Sequence, residues 1–168
     1  MSRSGSLSGI SARSWCALAV ALPLAAVGAA LFTQHVWDMQ PCPWCVLQRV
    51  VFLAIALACV IGLLWRGTVG RTLAAGASLL LAISGMAAAL WQHFVAAASA
   101  SCNLTLADRI IGGMRLDSLW PDAFSARASC ADAAVNLFGV PYEFWSLLLF
   151  AGLAVVSVRL LLPAQSNR

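Results

Sequence analysis

Four stretches of about 20 apolar residues, at about 15–33, 46–65, 72–94 and 142–162, leave this chain very few possible folds. Each is close to the roughly 20 residues a helix needs to cross about 30 Å of hydrocarbon. Lipid offers no partner for an unpaired backbone group, so open strands are excluded and helices are expected. Composition argues against a soluble alternative. The chain is 62% hydrophobic and 10% charged, whereas a soluble domain carries about 25% charged residues. The expected fold is an all-α integral membrane protein: a single domain over residues 1–168, built as a four-helix transmembrane bundle.

Arginine placement sets the expected orientation. Arg3 and Arg13 precede the first span, Arg66 and Arg71 sit between the second and third, and Arg159 and Arg168 close the chain. With four spans all six share one side, which the positive-inside rule makes cytoplasmic, at about 1–14, 66–71 and 163–168. The six acids, Asp38, Asp108, Asp117, Asp122, Asp132 and Glu143, fall on the other side. Trp15, Trp37, Trp65 and Trp145 lie near span ends, as in an aromatic belt. The first span has a basic leader and small residues at 25–30, as a signal peptide would. Its apolar run of about 18 residues is long for one, and it is expected to be retained. Two outer loops result, a short one at about 34–45 and a long one at about 95–141. The long loop mixes Ile110, Ile111, Met114, Leu116, Leu119 and Trp120 with polar residues, and a short interfacial helix interrupted by Gly112 and Gly113 is expected there. The arginines are scattered and no basic run interleaves with aromatics, which argues against nucleic-acid binding.

Six cysteines divide along the same lines. Cys16 and Cys59 fall within spans and read as small buried hydrophobes. Cys42 and Cys45 form a C-x-x-C pair in the short outer loop, and Cys102 and Cys130 lie in the long one. Two static disulfides would suit an oxidising compartment. A zinc ribbon would need a second C-x-x-C, whereas the second pair is spaced C-x27-C, so no metal is expected. A working thiol–disulfide chain is favoured on three grounds. A Cys42–Cys45 bond closes a tiny ring and so restrains the unfolded chain little. With Pro43 as a first-turn residue, both sulfurs sit at a helix N-terminus, where the dipole favours a thiolate. Arg49, one turn beyond Cys45 on the same helix face, adds a charge that deprotonation cannot remove. The dipole favours Cys42 as the more acidic sulfur and Arg49 favours Cys45, so the sequence leaves that choice open.

A dithiol that closes to a disulfide releases two electrons. The chain has no dinucleotide fingerprint, haem attachment motif or iron–sulfur spacing. The two-electron carrier dissolved in a membrane is quinone. Arg49 is placed to hydrogen-bond a quinone oxygen, with Gln48 and His93, in AALWQHF near the outer end of the third span, as further polar candidates. His35 reads as interfacial.

These residues resemble the DsbB family of disulfide bond formation proteins, bacterial inner-membrane thiol:quinone oxidoreductases. PCPWC-x3-R, the pair Cys102 and Cys130, the four spans and FGVPYEFWSLLLF at the start of the fourth carry the resemblance across nearly the whole chain. It implies that a reduced periplasmic DsbA-like thioredoxin-fold protein attacks a Cys102–Cys130 disulfide and forms a mixed disulfide with Cys102. Cys130 then passes reducing equivalents to Cys42, and Cys45 is freed as a thiolate facing ubiquinone or menaquinone, from which quinol enters the respiratory chain. The Pro43–Trp44 dipeptide, the position of His93 nine residues before Cys102, and the neutral Gln48 beside Arg49 are departures from the family pattern. A membrane scaffold pinned by two permanent disulfides, and a paralogue serving a dedicated oxidant, are the competing readings.

Overall fold

A computed structural model describes residues 12–65, 67–98 and 105–162; Cys102, Arg3, Arg66 and Arg168 lie outside the described residues. The order is α1 (Ala12–Val36), α2 (Pro43–Leu64), α3 (Thr68–Trp91) extended by one π-helical turn (Gln92–Ala96), α4 (Leu106–Gly113), α5 (Leu116–Leu119), α6 (Pro121–Phe124), a hairpin of β1 (Asn136–Leu137) and β2 (Val140–Pro141), and α7 (Tyr142–Leu161). Four helices are long and apolar enough to span a bilayer: Ser14–Val36, Pro43–Leu64, Thr68–Ala96 and Tyr142–Leu161. The protein is an all-α multi-pass membrane protein.

Helices α1, α2, α3 and α7 pack in a ring, each against two neighbours. The sequence of α3 explains how they approach. Ala75, Ser78, Ala82, Gly85 and Ala89 recur at three- and four-residue steps and are all buried, a seam of small side chains of the kind that lets helices close in where lipid supplies no hydrophobic drive. Phe150 of α7 fills the space left at Gly85 and stacks on Phe52 of α2, with centroids 4.0 Å apart and planes 4° from parallel. Ile55, Cys59, Leu153 and Val156 continue this core, with Ala19 and Val27 of α1.

The span edges nearest the cysteines are set by local chemistry. Cys42 caps α2 with extended backbone, its sulfur accepting the Cys45 N–H at 3.3 Å, and Pro43 opens the helix where its missing N–H costs nothing. Helix α2 therefore starts three residues before the hydropathy edge at 46. In the long loop, Thr105 and Asp108 form a reciprocal capping box that starts α4. Arg115, at φ 54°, separates α4 from α5. Ala107 and Ile111 of α4 are buried, while Leu106, Ile110 and Met114 remain exposed. The hairpin turn Phe138–Gly139 has positive φ at both positions, 54° and 80°, which matches the right-handed twist of paired strands.

Candidate redox site and cavity

The site is assembled where the long loop returns to the N-terminus of α2. The backbone N–H groups of Arg127 and Ala128 donate to the Pro41 carbonyl at 2.9 and 3.3 Å. This pins the loop one residue before Cys42 and delivers Cys130. The Cys42 thiol hydrogen-bonds Cys130, and the Trp44 N–H donates to the Cys130 sulfur. On its other side Cys42 Sγ lies 2.9 Å from Cys45 Sγ. Cys42, Cys45 and Cys130 thus form one cluster, with Cys42 in the middle and fully buried. Hydrogen bonds to Cys130 and then Cys45, together with burial, push the Cys42 thiol well above its ordinary value. Accepting from Cys42 holds Cys130 below its ordinary value, against the opposing effect of its burial. The helix dipole alone favours a thiolate at Cys42. Two neighbouring sulfurs and the exclusion of water reverse that preference.

Cys45 faces inward. Its sulfur accepts from Gln92 Nε2 at 3.2 Å, and Gln92 Oε1 accepts from Gln48 Nε2 at 2.8 Å. Gln48 thereby orients the amide that holds the sulfur. Beyond Cys45 opens a mostly apolar cavity of about 230 Å³, walled by Cys45, Gln48, Arg49, Phe52, Gln92 and Glu143 among others. Residues of α1, α2, the π turn, the hairpin and α7 all contribute to it.

Arg49 is 5% exposed and deeply engaged. Its Nη1 donates to Gln34 Oε1 at 2.7 Å and to the Ala123 carbonyl at 2.9 Å, and Nη2 donates to the Ala30 carbonyl at 3.4 Å. Gln34 Nε2 in turn donates to the Asp122 carbonyl at 2.9 Å. The guanidinium ties α1 and α6 to α2, lines the cavity and acts electrostatically on the Cys45 sulfur. None of its acceptors is a carboxylate, so its charge stays uncompensated by an ion pair among the described residues.

His93 does not line the cavity. Its Nδ1 pairs with Glu143 Oε1 at 2.6 Å, and Glu143 is a lining residue. Gln92 and Glu143 are among the cavity groups that sequence reasoning missed. A signal existed for both: a polar or ionisable side chain inside a predicted span marks function by default, and Glu143 falls in the first turn of the fourth span. Cys59 lies in the bundle core with its Sγ 3.2 Å from Ser78 Oγ, whereas Cys16 on α1 is only half-buried rather than buried as expected.

Comparison with known proteins identifies the family. The family described as disulfide bond formation protein DsbB matches residues 12–160. The chain is similar to disulfide bond formation protein B of Nitrosospira multiformis, with 30% identity over 84% of this chain and 86% of that one. It is also similar to disulfide bond formation protein B 1 of Pseudomonas savastanoi pv. phaseolicola, with 34% identity over 79% of each. The protein of the same family name in Chromohalobacter salexigens shares 30% identity over 92% of this chain and 93% of its own. A match over nearly the whole chain and four apolar spans make this membrane protein a member of the DsbB family of disulfide bond formation proteins.

Proposed function

We propose that the protein is a thiol–disulfide:quinone oxidoreductase of the bacterial inner membrane that reoxidises a periplasmic DsbA-like thiol oxidase. In this reading both termini are cytoplasmic and the active cysteines periplasmic. The partner's dithiol reduces a Cys102–Cys130 disulfide through a mixed disulfide on Cys102. Cys130 then attacks Cys42 of a Cys42–Cys45 disulfide, and Cys45 leaves as a thiolate. Each exchange needs an attacking thiolate and a leaving sulfur. The contact between Cys130 and Cys42 and the lowered pKa of Cys130 support the second exchange. The Gln92 amide and the Arg49 charge are placed to stabilise the departing Cys45 sulfur.

A quinone supplies a lipid-soluble acceptor of two electrons and two protons. The cavity suits its head group. Its volume falls below the roughly 300–1,000 Å³ of sites for whole drug-sized ligands, and its walls are apolar with few polar groups. Arg49 and Gln48 would hold it, and Cys45 would face it. The observation that carries the reading is the unbroken line from Cys130 through Cys42 and Cys45 to the wall of that cavity.

Anaerobic mixing of the purified protein with a reduced thioredoxin-fold oxidant and a short-chain ubiquinone or menaquinone tests it. Stoichiometric quinol should form and should vanish in Cys42→Ser and Cys45→Ser. Cysteines that stay oxidised throughout would instead mark two structural disulfides.

A further inference from the structure

Glu143 is 3% exposed, and its two carboxyl oxygens have different surroundings. Oε1 accepts from His93 Nδ1. Oε2 is buried without any hydrogen-bond partner among the described residues. Leaving a buried carboxyl oxygen unsatisfied is costly, and such an atom calls for a ligand or a proton. Glu143 is one of the residues that line the cavity that also holds Cys45. His93 is 31% exposed and lies in the last turn of the third span, where the bilayer gives way to water. The pair therefore connects the outside of the bundle to the cavity.

Proton balance gives this connection a task. Closing the Cys42–Cys45 disulfide from a Cys45 thiolate and a Cys42 thiol releases two electrons and one proton. Reducing quinone to quinol consumes two electrons and two protons. One proton must come from elsewhere, and neither Arg49 nor the amides of Gln48 and Gln92 can give one up. Of the lining residues Tyr142 and Glu143, the Tyr142 hydroxyl is paired with Thr33, whereas Glu143 has a carboxyl oxygen unpaired among the described residues. We propose that Glu143 delivers this proton from Oε2 and that His93 restores it from water. The Nδ1–H bond to Oε1 stabilises the carboxylate left behind. The Nδ1 proton then passes to that carboxylate as the other ring nitrogen takes one from water. This rests on the quinone reading above and adds to it a catalytic acid.

The test uses full-length protein in detergent, prereduced and mixed anaerobically with short-chain ubiquinone, with quinol formation followed in a single turnover. Quinone affinity is read separately from tryptophan fluorescence, since Trp145 lines the cavity. Glu143→Gln should slow quinol formation at least about a hundredfold, the lower reach of general acid catalysis. Its quinone affinity should change less than about threefold, because the lost interaction is one made in the transition state. His93→Ala should slow the same step, and added imidazole should restore the rate. Glu143→Gln turning over at the wild-type rate would overturn the proposal. So would a loss accounted for wholly by affinity, or a His93→Ala protein that imidazole does not accelerate. A wild-type protein that forms no quinol overturns the quinone reading as well, whereas wild-type turnover with an unimpaired Glu143→Gln removes only the role of Glu143.

Discussion

The thiol of Cys42, the cap of α2, donates a hydrogen bond to Cys130, which lies in the long loop before α7. This bond divides the labour between them. Cys42 keeps its proton, and Cys130 loses its own more readily than an ordinary thiol. Replacing the donor should undo this. In reduced Cys42→Ala the midpoint of Cys130 alkylation by iodoacetamide should move to higher pH, so that labelling at neutral pH slows. The sign follows from the cause: a thiolate that has lost its hydrogen-bond donor is less stable, so its pKa rises. A midpoint unchanged from wild type would show that the contact does not govern Cys130.

Arg49→Lys keeps the charge and loses the planar fork. An ammonium group cannot reach Gln34, the Ala123 carbonyl and the Ala30 carbonyl in the geometry the guanidinium uses. A buried acceptor left unpaired costs about 1–3 kcal/mol. Thermal unfolding in detergent should show a loss of that order, and quinone affinity should fall about tenfold, or about 1.4 kcal/mol. Wild-type stability with weakened quinone binding would confine Arg49 to the cavity. The reverse would make it purely a tie between α1, α2 and α6.

How much of this was legible in the sequence depends on whether the cause is local. The spans are local, because about 20 apolar residues can satisfy their backbone in lipid only as helices. The capping role of Cys42 is local too, since Pro43 follows it directly. The meeting of Cys130 with Cys42 is not. It depends on Arg127 and Ala128 reaching the Pro41 carbonyl, and C-x27-C spacing carries no trace of that. Arg49 is legible as a buried charge near a sulfur but not as a strut, because its acceptors come from two other segments of the chain. Gln92 and His93 are neighbours that part company in space, one toward Cys45 and the other toward Glu143. Their directions depend on how α3 ends, and there one π-helical turn replaces the ordinary register.

Cys16 and Cys59 should be dispensable for turnover. Cys59 belongs to the bundle core and Cys16 is half-buried on α1, neither in the sulfur cluster. Cys59→Ala loses the contact with Ser78, whose hydroxyl can turn to a carbonyl of its own helix. We expect Cys16→Ala and Cys59→Ala to form quinol at close to the wild-type rate, with Cys59→Ala losing about 1 kcal/mol of stability. A lost turnover in either variant would place an electron path through the bundle.

Gly85 makes the sharpest prediction about the fold. A Cβ there would lie inside van der Waals contact with the Phe150 ring. That ring cannot retreat freely, because it stacks on Phe52, and Phe52 walls the cavity. Gly85→Ala should therefore cost about 1–3 kcal/mol, as overpacking of a closed core does, and should disturb quinone binding through Phe52. Thermal unfolding and a quinone titration read the two effects. Pairing Gly85→Ala with Phe150→Leu removes the ring that the new methyl strikes, so the double variant should recover stability relative to Gly85→Ala alone. If it does not, the clash at Gly85 is not what limits the approach of α3 and α7.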